Sequence, residues 1–349
     1  MIKKIAIFNH KGGVSKTTTA FNLGWMLARK GKRTLLVDAD SQCNLTLYSV
    51  GQNEYEKHFE AGDTNNIKDA LEPAFKAKPK IIGPVSCITV KKNPYLFLLP
   101  GHLDLTEYEV SLGVSFQLSN ALGTLKNLPG AFNYLIEKTA KKYNAEYVLI
   151  DLNPSLSAIN QDLFVSSDYF IVPTSPDLFS YMAVKSLSRV LPSWEKWAKS
   201  ARPIFADAEY PLPNNTPKFL GYTINDFNLS EGRPSYSFEM MMNKIAGCIE
   251  SELVPNLAKE GMLLDNSKYE SSAKLSQNLK SQRPIDKYCI GEISNFNKLI
   301  AISNRLGLPI YELDPVKSKL SGAGQRRTLN WFKVLFENMA EKIITLTSA

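Results

Sequence analysis

The amino-acid sequence predicts an α/β fold: a mostly parallel twisted sheet with helices on both faces, and an extended helical C-terminal region. Three observations carry that prediction. Short apolar runs alternate with helix-compatible stretches, the pattern of strands joined by crossover helices. Several runs are almost continuously apolar, as strands covered on both faces must be. The first run, Ile5-Ala6-Ile7-Phe8, leads through a glycine turn into a helical stretch, the strand–turn–helix setting of a phosphate-binding loop.

Strands are predicted at 4–8, 34–38, 95–99, 147–151, 169–173 and 219–224, with 88–90 pairing beside 95–99. Helices are predicted at 16–30, 131–142, 157–165, 182–191 and 238–258. Residues 52–84 are polar and charged, then rich in Lys and Pro, and read as a loop or insertion. So does the Pro/Asn-rich segment 209–217, where prolines break any regular element. Met240-Met241-Met242 reads as core packing. The final stretch puts Phe332, Leu335, Phe336, Met339, Ala340, Ile343 and Ile344 on one helical face. Its charged residues Lys333, Glu337, Glu341 and Lys342 cancel, whereas helices lying in a membrane interface are rich in Lys and Arg. This helix is therefore expected to pack on the domain or a partner, and membrane attachment is not expected. Residues 1–349 read as one domain, with 289–349 an extension packed on it.

A chain of 349 residues can bury a large core. No run of about 18 apolar residues occurs, as a membrane span would need. The opening MIKKIAIF enters a strand with no signal-peptide pattern, so a cytoplasmic location is expected. Cys43, Cys87, Cys248 and Cys289 have no C-x-x-C spacing and are expected to be reduced. The net charge is +7, and residues 268–333 hold twelve basic against five acidic residues, which leaves the rest neutral. A basic segment in a neutral body suggests an acidic partner, DNA ahead of anionic lipid.

The chemistry centres on His10-Lys11-Gly12-Gly13-Val14-Ser15-Lys16-Thr17-Thr18. Backbone N–H groups in such a turn converge on one spot, and the dipole of the following helix favours negative charge there. Lys16 adds a mobile cation and Thr17 a hydroxyl suited to magnesium. The standard G-x-x-x-x-G-K-[ST] pattern fails, because His10 and Ser15 occupy its fixed glycine positions. A second lysine, Lys11, stands at the front of the loop instead. Asp38 and Asp40 end the strand at 34–38, two positions apart and so on one face. In α/β sheets that end of the strands opens the ligand crevice, although such a pair can also merely cap the next helix. Asp151 ends the strand at 147–151, where an Asp beside a phosphate loop orients Mg2+ through water.

The blocks KGGVSKTTT, DADSQCN, LLPGHLDL, YVLIDLNPSL, YFIVPTSPDLFS and RPIDKY follow one another between residues 1 and 288. Together they resemble the deviant Walker A ATPases of the ParA/MinD class. DADSQCN is similar to the ParA version D-x-D-P-Q-x-N, and a Soj-like ParA without the N-terminal DNA-binding extension is the nearest form. The resemblance implies a P-loop NTPase fold, ATP/ADP and Mg2+ as ligands, and a homodimer on ATP binding. It implies that Lys16 meets the β- and γ-phosphates and that Thr17 ligates Mg2+. It implies that Thr18 and the N–H groups of Gly13, Val14, Ser15 and Lys16 hold the α- and β-phosphates, with Gly12 in the same binding loop. Lys11 is then the signature lysine reaching across the dimer to the partner's nucleotide. Asp40 positions the attacking water near the metal, Asp38 supports the metal shell or Lys11, and Asp151 holds the Mg2+ water shell. The implied function is a weak ATPase switch that binds non-specific DNA for plasmid or chromosome partition, with a ParB-like activator, in the cytoplasm and on the nucleoid. The alternative is a related ATPase that positions a protein cargo, or regulates another multi-component system, without DNA. A role like that of the nitrogenase iron protein needs paired cysteines, which the scattered thiols do not supply.

Two departures from the family pattern carry expectations. Ser15 replaces a common glycine, which is tolerable if its φ is not positive. Asn153 replaces the first proline of D-x-P-P, which predicts a less rigid loop after Asp151. In the C-terminal region, Gly324-Gln325-Arg326-Arg327 is either a flexible basic turn or a helix start with solvated arginines. The strand end near Asn225 is the expected place for adenine contacts.

Overall fold

The computed structural model describes residues 2–60, 62–90, 93–118, 123–230, 233–275, 286–314 and 323–348. Its strands are β1 (Lys3–Ile7), β2 (Thr34–Ala39), β3 (Ile88–Thr89), β4 (Leu96–Leu99), β5 (Tyr147–Leu152), β6 (Tyr169–Thr174), β7 (Lys218–Phe227), β8 (Leu229–Ser230), β9 (Arg233–Pro234) and β10 (Cys289–Ser294). Eight of them form one sheet in the order β10-β7-β6-β1-β5-β2-β4-β3, and β8 and β9 form a separate ribbon. Within the large sheet every neighbouring pair is parallel except β3 with β4. The predicted strands are all present, and β3 pairs with β4 as expected. β10 was not predicted. Gly291 and Glu292 interrupt its apolar run, which is what hid it.

The helices are α1 (Lys16–Arg29), α2 (Asn44–Val50), α3 (Gln52–Glu60), α4 (Ile67–Phe75), α5 (Glu109–Leu118), α6 (Ala131–Lys142), α7 (Ala158–Val165), α8 (Leu178–Ala201), α9 (Tyr236–Cys248), α10 (Val254–Lys259), α11 (Asn266–Lys274), α12 (Lys298–Leu306) and α13 (Ala323–Leu346). α1 sits close on the sheet because Gly24 leaves room: a Cβ there would meet Leu36 Cδ2 at 2.5 Å. The segment 52–84 is not a plain loop, since it contains α3 and α4. Asn66 caps α4 by accepting from the Asp69 N–H at 2.9 Å. α3 is polar and gives little periodicity to read, whereas Ile67 and Leu71, four apart, mark the buried face of α4. α8 runs through Pro192 and extends beyond the predicted 182–191 at both ends. The predicted helix 238–258 is divided by a π-helical turn at Ile249–Leu253. Met242 is in the core, but Met240 is 56% exposed, so the methionine cluster is only partly core.

The irregular segment 209–217 is held by a buried ion pair at the end of α8. Arg202 donates to both carboxylate oxygens of Glu195, at 2.9 and 3.0 Å, and to the Pro213 carbonyl at 3.0 Å. The Thr216 hydroxyl donates to Glu195 as well. Glu195→Ala leaves Arg202 buried without its counter-charge and is expected to cost about 3–5 kcal/mol in denaturant unfolding. A loss under about 1 kcal/mol would show that water replaces the carboxylate.

α13 buries Phe332, Leu335, Phe336, Met339, Ala340 and Ile343, packing on α1, α11 and β10. Gly291 of β10 makes room for Met339. Lys342, one of the four charged residues counted on this helix, is buried. Its ammonium donates to the carbonyls of Cys289 at 2.9 Å and Ile290 at 3.1 Å, and burial lowers its pKa. Arg326 and Arg327 are exposed near the start of α13, so the helix-start alternative holds there. Cys43, Cys248 and Cys289 are buried, and Cys87 is half-buried.

Candidate functional site

β1 is flanked by β5 and β6, so the turn after β1 opens between the ends of these strands. Asn9 fastens the turn on one side. Its amide donates to the Pro173 carbonyl of β6 at 2.7 Å, and its oxygen accepts the Lys11 N–H at 3.0 Å. Asn225 of β7 fastens the other side by donating to the Val14 carbonyl at 2.8 Å. Gly13 has φ +72°, and the exposed Gly12 lies against Pro154 in the loop after β5. α1 then begins at Lys16, with its N-terminus aimed into the turn.

Ser15 has φ +58°, so the condition under which a serine was tolerable here is not met. Left-handed backbone costs an L-residue roughly 1–2 kcal/mol. The Ser15 hydroxyl offsets part of this by donating to Asp226 at 2.6 Å. Asp226 itself has φ +62°, at the end of β7. Ser15→Val would lose the hydrogen bond and place a branched side chain in left-handed backbone. The expected cost is about 2–3 kcal/mol by thermal or chemical unfolding, and a change below about 0.5 kcal/mol would mean that the loop relaxes freely.

The acidic residues are set by strand register. Asp38 of β2 is the direct neighbour of Asp151 of β5, and Ile7 of β1 flanks Asp151 on the other side. Asp38 is fully buried and accepts from the N–H and hydroxyl of Thr46, at 2.7 and 2.6 Å. Its carboxylate therefore binds α2 and makes no contact with Lys11. Burial pushes its pKa up to about 7, against the Thr46 hydrogen bonds. Burial and then the Asp38 charge push Asp151 up to about 8. Neither Asp151 oxygen makes a hydrogen bond of ordinary geometry, although the Thr17 hydroxyl lies near enough to favour its charge. Asp40 is nearly buried and accepts the Gln42 N–H at 3.0 Å. Lys16 is also nearly buried. Desolvation lowers its pKa, opposed by Asp151 and Asp40, and its ammonium donates to the Lys11 carbonyl at 3.2 Å.

Lys16, Thr17, Asp38, Asp40 and Asp151 thus cluster beside the loop, at the ends of β2 and β5 and the start of α1. A buried carboxylate with two orphaned oxygens, beside a hydroxyl, fits the water shell of a hydrated divalent ion. Among the described residues no three His, Cys, Asp or Glu side chains form a protein-only metal cage. The loop after Asp151 is tied by Asn160, which donates to the Asn153 carbonyl and side-chain oxygen, both at 2.9 Å, and to the Ser155 carbonyl at 2.7 Å. Asn153 thereby gains side-chain anchoring that proline would lack.

Two residues near the loop escaped sequence reasoning. Asp177 caps α8 by accepting the Ser180 N–H at 2.8 Å and forms an ion pair with Lys11 at 2.6 Å. Asp226 receives Ser15 and also lies within electrostatic range of Lys11. The only available signal was the Asp-x-x-Ser cap spacing after β6. In the basic segment, Lys280, Arg283, Lys317 and Lys319 lie outside the described residues, and Lys333 pairs with Glu337. Among the described residues no helix is long and apolar enough to cross a membrane.

The family described as "AAA domain" matches residues 2–201. An uncharacterised protein of Methanocaldococcus jannaschii is 30% identical over 74% of this chain and 83% of its own length. The chromosome partitioning protein ParA of Caulobacter vibrioides is 31% identical over 54% of this chain and 62% of its own. For the sporulation initiation inhibitor protein Soj of Bacillus subtilis the values are 31%, 55% and 64%. Among solved structures, pNOB8 ParA bound to nonspecific DNA covers 99% of this chain and 98% of its own, at 17% identity and a TM-score of 0.58. The Cyanothece McdA–ATP complex covers 94% of this chain and 96% of its own, at 16% identity and a TM-score of 0.55.

Proposed function

The chain belongs to the ParA-type P-loop ATPases, and from that membership we propose an Mg2+-dependent, weakly hydrolysing ATPase that dimerises with ATP and then binds DNA without regard to sequence. The observation that carries the proposal is the charged cluster: Lys16 lies within electrostatic range of Asp40 and Asp151 beside a loop that presents a second lysine, Lys11.

Loop N–H groups from Gly12 to Lys16, with Thr18, receive the phosphates at the positive end of α1. Lys16 exchanges its bond to the Lys11 carbonyl for the β- and γ-phosphates. Thr17 and Asp151 would hold Mg2+, which when bound would supply charge neutralisation on the phosphates. Asp40 orients the attacking water and accepts its proton. Lys11 brings positive charge to the partner's nucleotide, where phosphoryl transfer builds negative charge. Asp38 shapes the pocket from behind by tying β2 to Thr46. The whole chain acts as one ATPase domain, with 289–349 as its extension, in the cytoplasm and on the nucleoid, and a ParB-like protein is the proposed activator.

The test is retention on arbitrary duplex DNA. Retention is expected with ATP and Mg2+, absent with ADP, and weakened by salt with a log–log slope of about −0.9 per phosphate contact. Binding that ignores the nucleotide would sink the DNA-switch reading. A second reading, an ATP-gated positioner of a protein cargo, is favoured by the exposed apolar residues Phe179 (70%), Met182 (56%) and Tyr236 (82%) on α8 and α9. No DNA retention in any nucleotide state would select it.

A further inference from the structure

Lys11 is held at two points in this chain. Its side chain reaches Asp177 at 2.6 Å, at the start of α8, and its carbonyl accepts the Lys16 ammonium at 3.2 Å. A second carboxylate, Asp226 at the end of β7, lies within electrostatic range of Lys11 while its own oxygen receives Ser15. The N-cap of α8 and the end of β7 thus place two carboxylates near the front of the loop, and Asp177 is the one in contact with Lys11. Lys11 cannot both stay against Asp177 and extend toward a second subunit.

We propose that Asp177 is a positioning residue that docks Lys11 in cis and so restrains dimerisation until nucleotide is bound; this rests on the dimerising-switch reading above. Coupling to nucleotide follows from Lys16. Phosphate draws its ammonium off the Lys11 carbonyl, which removes one of the two holds. The remaining hold is an ion pair in which the Asp177 side chain is 40% exposed and that of Lys11 20% exposed. Such a pair is weak enough to be broken by assembly. Asp177 also caps α8, so a careless substitution would confound docking with helix stability.

Asp177→Asn separates the two roles, because Asn caps a helix about as well as Asp but carries no charge. The first measurement is the rate at which an acylating reagent modifies Lys11 in the nucleotide-free full chain, read by mass spectrometry. The expected result is a rise of roughly two- to five-fold in Asp177→Asn, the range of a partly exposed ion pair, with Asp177→Glu restoring protection. The second is self-association with a non-hydrolysable ATP analogue, expected to tighten by a similar factor. Unchanged Lys11 reactivity would overturn the dock. Raised reactivity with unchanged or weaker self-association would overturn the restraint. If the unsubstituted chain does not self-associate with the analogue, the dimer reading fails and the restraint with it, whereas the reactivity measurement still judges the cis contact separately. An unfolding curve of Asp177→Asn that overlays the parent excludes a lost cap as the cause.

Discussion

Lys16→Ala is expected to weaken ATP binding by at least about 100-fold while leaving the nucleotide-free protein as stable as before, or more so. The binding loss follows from charge. Lys16 is the cation of the pocket that faces Asp40 and Asp151, and a triphosphate arriving without it would meet those carboxylates uncompensated. Removing one partner of a buried charge pairing costs about 3 kcal/mol or more, which is roughly two orders of magnitude in affinity. The stability argument has the opposite sign. Burial lowers the pKa of Lys16, so carrying its charge in the folded state costs free energy at neutral pH. That cost disappears only at alkaline pH, as the ammonium titrates between its lowered folded value and its ordinary unfolded one. Calorimetric titration with ATP and a thermal melt of the apo protein check the two halves independently. Nucleotide binding at the parent affinity would refute the phosphate role of Lys16.

Asp40→Ala is expected to retain ATP binding and ATP-dependent self-association but to slow hydrolysis by about 100- to 1,000-fold, the usual worth of a positioned general base. Asp40 is nearly buried, is oriented by the Gln42 N–H, and shares the pocket with Lys16. Asp38, two residues earlier, is fully buried and commits one carboxylate oxygen to Thr46. Single-turnover phosphate release in the variant measures the effect. Hydrolysis at the parent rate would move the base elsewhere.

The strands and the phosphate loop were legible because their signals are local. Ile5 to Phe8, Leu35 to Val37 and Val148 to Ile150 are continuous apolar runs, and an acid at the end of such a run falls at the crevice by topology alone. What stayed hidden was long-range or conformational. Asp177 lies 166 positions from Lys11, and nothing in either neighbourhood announces the pair. The left-handed backbone of Ser15 was visible only as a missing glycine, and its compensation by Asp226 depends on where β7 ends. β10 was obscured by Gly291, whose absent side chain makes room for Met339 of a helix far along the chain. α8 ran past its predicted end because tertiary packing carries a helix through Pro192.

The buried Lys342 has a consequence for how copies of this protein can meet. An outermost strand normally displays unpaired backbone groups that template edge-to-edge aggregation. Here β10 lies under α13, and Lys342 occupies carbonyls of Cys289 and Ile290, while the opposite rim ends in the two-residue antiparallel β3. Sheet extension from one molecule to the next is therefore disfavoured at both rims.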